Sequence, residues 1–246
     1  MLRAGLSFTR EYLRHRLYHK DRRAAFGAVA DDVRRDRVFL VGNGPSLRGM
    51  DLDRLAAEDY FLCNLAERID WVRERSHPFY IASDARVPDG YANGRPGIDA
   101  GRYFLNDELR PKLDQAFVDD ADIVWFSGAR GGTLKRGLTR RPWISVPGGQ
   151  TVLLSAAQIA LWLGYRQILI IGCDLDYQSP APYAYAISKE ERAARRNEIK
   201  MVESTNRAFA LLDRKARRNG QSIVNAGIGG KLDSLERADF ESLFRA

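Results

Sequence analysis

The chain has 246 residues, of which 45% are hydrophobic, and a net charge of +7. This length and composition allow one α/β domain with a sizeable core. Two cysteines without zinc-type spacing favour buried thiols in a reducing, cytoplasmic compartment. No apolar run reaches the roughly 18 residues of a spanning helix, and no signal peptide is recognisable at the N-terminus.

Residues 1–36 are predicted to form a basic helical arm ahead of an α/β domain over residues 37–246. Residues 1–37 hold ten Lys or Arg against five acids. Apolar side chains recur there at helical spacing, namely Phe8, Tyr12, Leu13, Leu17 and Phe26. Such a helix could lie on an anionic membrane surface or dock on the domain, and the sequence leaves both open. Nucleic-acid binding is not favoured, because no basic-aromatic motif of a known module occurs.

Short apolar runs alternate with helical patterns along the rest of the chain. The predicted strands are Val38–Val41, Tyr60–Cys63, Phe79–Ala82, Ile123–Phe126, Trp143–Val146, Ile168–Ile171 and Ile223–Val224. Helices are predicted within "GGQTVLLSAAQIALWLGY" and over residues 188–219. This alternation predicts a mostly parallel, twisted sheet with helices on both faces. Residues 126–143, rich in glycine and arginine, are predicted to form either a lid over an anionic substrate or a solvated connector.

The turn after the first strand reads Gly42-Asn43-Gly44-Pro45-Ser46. Glycines there let backbone amides approach a ligand, and a proline followed by a serine suits a helix start that favours an anion. The spacing matches neither the dinucleotide fingerprint nor a Walker loop. A purely structural strand–helix turn explains these residues nearly as well.

The stretch "ILIIGCDLDYQSPAPYAYA" carries polar residues out of a buried strand. In a parallel sheet, ligands bind at the carboxyl ends of strands, so Asp174 could take a ribose hydroxyl. Tyr177 and Tyr183 could donate hydrogen bonds to a departing phosphate without a metal. The alternative is that both tyrosines are loop aromatics packed on the surface.

Taken together, these blocks resemble known enzymes. "GNGPSL", Cys63-Asn64, "QTVLLSAAQIALWLGYRQILIIGCDLDYQ" and "YAY" resemble the bacterial sialyltransferases of glycosyltransferase family 42. The C-terminal "IVNAGIGGKLDSLERADF" is similar to Maf-type domains of flagellin glycosylation. The resemblance covers roughly residues 37–240 in four ordered blocks. It implies a Rossmann-like, metal-independent variant of the GT-A fold, with a nucleotide-sugar-binding domain over residues 37–246.

The resemblance also implies a role for each matching residue. The donor-binding positions would be Gly42, Asn43, Gly44, Ser46, Asn64, Ser83, Asp84, Thr151, Gly172 and Asp174. Within this set, the first turn would contact the donor phosphate or ribose, and Asn64 the nucleotide or the sugar. Thr151 would open a helix near the phosphate, and Asp174 would bind ribose. Ser83 and Asp84 match the family only by position. Tyr177 and Tyr183 would stabilise the leaving cytidylate, so no metal or other cofactor is expected.

The sequence departs from the family at the general base. The sialyltransferases carry a His where this chain has Met201 by rough alignment. His15, His19 and His77 lie elsewhere in the sequence. Carboxylates could replace the His, with Glu203, Glu198 and Asp176 as candidates.

Three functions remain open at this point. The first is transfer of an acidic sugar (sialic acid, another nonulosonate or Kdo) from a CMP-activated donor to an anionic glycan, lipid-linked saccharide or protein. This would take place in the cytoplasm, with peripheral association at the inner membrane face. The second is a Mg-dependent diphosphokinase acting on a hydroxymethyl pterin, with Asp174 and Asp176 as metal ligands. The third is a non-catalytic nucleotide-binding scaffold.

Overall fold

The computed structural model describes residues 19–73, 75–129, 139–148, 151–194 and 201–245. Eight parallel strands form the main sheet, in the order β10-β9-β8-β1-β2-β3-β4-β5, and β6 pairs with β7 separately. The strands are β1 (Arg37–Val41), β2 (Asp59–Cys63), β3 (Ser76–Ala82), β4 (Asp99–Asn106), β5 (Ile123–Phe126), β6 (Gly128–Ala129), β7 (Val146–Pro147), β8 (Gln167–Ile171), β9 (Ser222–Asn225) and β10 (Glu236–Arg237). The parallel α/β fold expected from the sequence is confirmed.

Within the described ranges, five α-helices accompany the strands. They are α1 (residues 19–32 in the described part), α2 (Gln115–Asp120), α3 (Val152–Leu163), α4 (Lys189–Ala194) and α5 (Val202–Arg217). Helix α3 forms where the sequence predicts it. The side chain of Thr151 caps its first turn, and Gly164 ends it in the left-handed region at φ 101°.

The two faces of the sheet are covered differently. Helices α1, α3 and α5 pack on one face, where α3 is buried along nearly its whole length. The opposite face is covered mainly by short 3₁₀ turns, such as Pro45–Gly49 and Leu52–Ala57, together with α2. Each face therefore has its own apolar core, and the strands between them are buried on both sides.

The strand assignments from the sequence need correction at two longer segments, and the two-residue strands β6 and β10 were not predicted. Strand β4 was missed because "DAGRYFLN" begins with polar and glycine residues and has only a short apolar run. The strand predicted over Trp143–Val146 is wrong except at Val146, which belongs to the two-residue β7. Trp143 lies in a turn, and its ring forms a T-shaped pair with the ring of Trp162 in α3.

The described part of the basic arm is docked on the domain. Phe26 and Val29 of α1 are buried in the core, and Arg22 is 5% exposed. Arg22 forms an ion pair with Asp107 and donates to the Ser127 hydroxyl at 3.1 Å. Of the two alternatives, docking therefore holds for residues 19–32, whereas residues 1–18 lie outside the described residues. Within the described residues, no helix is long and apolar enough to cross a membrane.

Candidate active site

A cleft of about 650 Å³ opens at the carboxyl edge of the sheet. The chain runs from β1 to β2 on one side, while β8 pairs with β1 on the other. The loops after β1 and β8 therefore diverge at this point, which is where open α/β sheets bind ligands. The loops after β2 and β3 and the start of α3 complete the walls.

Most of the residues singled out in the sequence meet in this cleft. Its lining includes Gly42, Asn43, Gly44, Asn64, Ser83, Asp84, Thr151, Gly172, Asp174, Tyr177 and Tyr183. Ser46, Asp176 and Glu203 do not line it. The structure therefore brings together side chains from positions 42 to 183, although it does not by itself assign a role to any of them.

The turn after β1 packs tightly against the turn after β8. The amide of Gly42 donates to the Ile171 carbonyl, and that of Gly44 to the Gly172 carbonyl, both at 2.8 Å. A β-carbon at Gly42 would lie 2.3 Å from the Gly172 oxygen, so only glycine fits. These two amides hold the loops together and are not available as an anion cradle.

Asp174 occupies the helix start that the sequence suggested for an anion. Its two carboxylate oxygens accept from the Ser46 amide at 2.8 Å and the Ser46 hydroxyl at 2.6 Å. Asp174 as a whole is 8% exposed. It therefore caps the 3₁₀ turn Pro45–Gly49 and joins the two loops. This placement differs from the expected anion site, and it gives Ser46, which does not line the cleft, a structural role.

Two buried amide oxygens in the cleft walls have no partner in the described structure. Asn43 donates its Nδ2 to the Cys63 carbonyl at 3.1 Å, which leaves its Oδ1 orphaned. Asn64, held in the left-handed region at φ 51°, also has an orphaned Oδ1. An unpaired buried acceptor is costly, so both positions suit a ligand that donates hydrogen bonds, such as a hydroxyl or an amine.

The N-terminus of α3 is an anion-favouring element of the cleft. Gly148, Thr151, Val152 and Leu153 line the cleft there, and the Thr151 hydroxyl accepts from the Leu153 amide at 3.3 Å. Twelve residues of aligned peptide dipoles point their positive end at the cleft. The structure places Thr151 in the cleft wall, and its expected role at a donor phosphate stays a prediction.

Tyr177 and Tyr183 belong to an aromatic cluster on the loop after β8. Their ring centroids are 6.5 Å apart, and Tyr183 stacks in parallel on Tyr185 at 5.5 Å. Arg68 lies over the Tyr185 ring and forms an ion pair with Glu191 at 2.7 Å. All five side chains line the cleft.

The proposed replacements for the missing His lie elsewhere. Asp176 accepts from Lys231 at 2.6 Å outside the cleft, and Glu203 pairs with Arg207 one turn along α5 with its side chain 80% exposed. Both carboxylates are solvated partners of basic residues and do not face the site. Glu198 lies outside the described residues. Met201, aligned with the family's His, does line the cleft.

Histidine does not supply the base in the described lining either. His77 is 2% exposed at the opposite end of the sheet, between the Tyr60 hydroxyl at 2.8 Å and the Val72 carbonyl at 2.9 Å. Burial lowers the pKa of His77, which keeps the ring neutral in the core. His15 lies outside the described residues, and His19 is in α1.

Sequence reasoning missed Asn106, Arg68 and Tyr185. Asn106 ends the missed strand β4, is 6% exposed and donates to the Ser83 carbonyl at 3.1 Å. The signal that could have found it is a polar residue directly after an apolar run. Arg68 carries no such signal, and Tyr185 lies within the "YAY" block, where only Tyr183 was given a role. The contact between Arg68 and Tyr185 joins segments more than 100 positions apart.

Burial raises the pKa of the acidic groups near the cleft. Burial raises the pKa of the Cys63 thiol to about 12 and also raises the pKa of Cys173, so neither is an active nucleophile. Burial raises the pKa of Glu67 from 4.5 to about 7. Within the described ranges, no three His, Cys, Asp or Glu side chains converge as a metal-ligand set.

Comparisons with known proteins give one structural likeness. No protein-family model and no curated protein match the sequence. The chain is similar to the sialyltransferase CstII from Campylobacter jejuni, solved in complex with the substrate analogue CMP-3FNeuAc. That likeness has a TM-score of 0.40 and 17% sequence identity, and covers 82% of this chain and 92% of that chain. A likeness of this degree does not assign the chain to a family.

Proposed function

We propose that the protein is a glycosyltransferase that moves an acidic sugar from a CMP-activated donor to an anionic glycan, a lipid-linked saccharide or a protein. The sugar is sialic acid, another nonulosonate or Kdo. One observation carries the proposal: the α3 N-terminus, two asparagines that each hold a buried amide oxygen without a partner, and a pair of tyrosines line a single cleft. The four sequence blocks that resemble sialyltransferases supply these same residues.

Each feature suits one part of such a donor. The positive end of α3, with Thr151, favours the single phosphate of a cytidylate. The oxygens of Asn43 and Asn64 accept hydrogen bonds, so they suit ribose or sugar hydroxyls, or an exocyclic amine, rather than a phosphate. Asp174 is engaged by Ser46, so its role toward ribose is secondary to its role in holding the loops.

Tyr177 and Tyr183 act on the leaving group in this proposal. As the glycosidic bond breaks, negative charge grows on the phosphate that departs with cytidine. Two phenolic hydroxyls placed on the loop after β8 donate hydrogen bonds to that phosphate and stabilise the charge. Neutral donors suffice because a nucleoside monophosphate leaves with one phosphate group to stabilise.

The test is a thermal-shift series with CMP, UMP, UDP, GDP and ATP, each with and without Mg²⁺. A ligand at 100 times its Kd raises the free energy of unfolding by about 2.7 kcal/mol. In a chain of this size, this stabilisation raises Tm by about 5–10 °C. We expect stabilisation by CMP without Mg²⁺. A response to ATP with Mg²⁺ alone would favour the diphosphokinase, and no response to any nucleotide would favour the scaffold.

The basic arm supplies a membrane contact in the same proposal. Residues 1–18 hold four of the arginines, and α1 keeps the rest of the arm on the domain through Phe26 and Val29. Deleting residues 1–18 should therefore preserve the fold and abolish co-sedimentation with anionic vesicles. Undiminished vesicle binding by the truncated protein would contradict this role.

A further inference from the structure

Arg68 lies at the far end of the aromatic cluster from Tyr177. It ends the 3₁₀ turn Ala66–Arg68, four positions after Asn64. Its guanidinium carbon lies 5.6 Å from the centroid of Tyr185, which stacks on Tyr183 with an interplanar angle of 8°. A cation is thereby fixed in the same cleft as the tyrosines that receive the leaving group in the proposal above.

Half of the Arg68 guanidinium is unused. Nη1 donates to Glu191 at 2.7 Å, whereas Nε and Nη2 donate no hydrogen bond within the described structure. The Nε and Nη2 donors form one edge of the guanidinium and match the two oxygens of a carboxylate. With its side chain 29% exposed at the cleft wall, this residue retains room for such a ligand.

Glu191 places a fixed negative charge beside that edge. Its Oε2 accepts from the Ser188 amide at 2.9 Å, and its own amide donates to the Ser188 hydroxyl at 3.0 Å. This reciprocal pair caps α4 and fixes the orientation of the carboxylate. A second carboxylate arriving at Arg68 would bind the cation and be repelled by Glu191.

We propose that Arg68 is a specificity-determining residue that binds the carboxylate of the acid sugar through Nε and Nη2. Glu191 competes with that carboxylate for the same cation. The inference rests on the proposed function, because it takes an acid sugar as the ligand. It adds the means by which the cleft distinguishes an acidic sugar from a neutral one.

The experiment measures binding of two probes by calorimetry, CMP and the analogue CMP-3FNeuAc. The difference between the two affinities reports the sugar part alone. Arg68→Gln removes the charge, and Arg68→Lys keeps the charge but loses the two-donor edge. Arg75→Gln is the matched control, because Arg75 also pairs with a carboxylate, Asp53 at 2.6 Å, and lies over an aromatic ring, Trp71, outside the cleft.

We expect Arg68→Gln to lower the affinity for the analogue about tenfold or more, whereas the affinity for CMP should change by no more than about twofold. Arg68→Lys should fall between wild type and Arg68→Gln, and Arg75→Gln should leave both affinities unchanged. If Arg68→Gln does not fold, Arg68→Lys decides the question by the same comparison. The proposal would be overturned if Arg68→Gln lost the same affinity for CMP as for the analogue, or lost no affinity for either probe.

The Glu191→Gln variant tests the competing charge. We expect this variant to raise the affinity for the analogue about threefold and to leave the affinity for CMP unchanged. The reason is that the repulsion between residue 191 and the sugar carboxylate is removed, whereas the capping contact can remain. A weaker analogue in this variant would overturn the competition. If the wild type binds neither probe, the proposed function fails, and this result is distinct from a wild type that binds both probes while Arg68→Gln changes neither.

Discussion

Replacing Asp174 by alanine separates a carboxylate that holds two loops together from one that binds a ligand. Its oxygens accept two hydrogen bonds from Ser46, and the residue as a whole is 8% exposed. A hydrogen bond to a charged group contributes about 1.5 kcal/mol, so the variant should lose about 3 kcal/mol of unfolding free energy. For a domain of this size the expected fall in Tm is about 6–12 °C.

The assay is urea unfolding of Asp174→Ala, Ser46→Ala and the double variant, alongside CMP binding well below the lowest Tm. Ser46→Ala removes only the hydroxyl, and with it one of the two hydrogen bonds, so this variant should lose about 1.5 kcal/mol of unfolding free energy. The double variant should cost little more than Asp174→Ala, because both changes remove the same contact. A loss below about 0.5 kcal/mol in Asp174→Ala would refute the structural role. If Asp174→Ala binds CMP more weakly and Ser46→Ala does not, the result would support a contact between Asp174 and the ribose.

Changing Tyr177 and Tyr183 together to Phe should lower kcat about 100-fold with little change in CMP affinity, and unchanged turnover would contradict the leaving-group role. Gly42→Ala should prevent folding or cost over about 3 kcal/mol, because the new β-carbon would lie 2.3 Å from a backbone oxygen. Its control, Gly27→Ala in α1, has open space and should gain about 1 kcal/mol by urea unfolding. A Gly42→Ala variant as stable as wild type would contradict the packing argument. The pKa of Glu67 rises from 4.5 to about 7 by burial, so the folded chain keeps a proton that the unfolded chain releases, and stability falls as pH rises through this range. Glu67→Gln should remove that fall, and its free energy of unfolding should exceed that of wild type by about 3 kcal/mol at pH 8. Parallel pH profiles would show that this carboxyl does not titrate there.

The parallel sheet and the place of the site could be predicted from local patterns. Buried runs such as β1 and β8 are apolar without interruption, and a strand buried on both faces needs that composition whatever its neighbours are. The polar residues directly after each run then fall at one edge of the sheet by topology alone. This explains why so many of the expected residues line one cleft.

Helix α3 was also predictable from the sequence, because Thr151 and Gly164 mark its two ends. Strand β4 was not predictable in this way, because it begins with polar residues and has only a short apolar run. This run forms a strand by pairing with β3 and β5. Strand pairing supplies hydrogen bonds from distant residues, and no local pattern records them.

What the sequence by itself determined is which residue types leave the strand ends, and so the chemistry available at the cleft. What only the tertiary structure decided is which of those groups already have a partner. Ser46 and Asp174 are 128 positions apart, and Arg68 and Glu191 are 123 apart, yet each pair is in hydrogen-bond contact. Electrostatic and hydrogen-bond partners are chosen by distance in space. The turn that contains Ser46 therefore suggests an anion site in the sequence, whereas in the fold its contact with Asp174 holds two loops together.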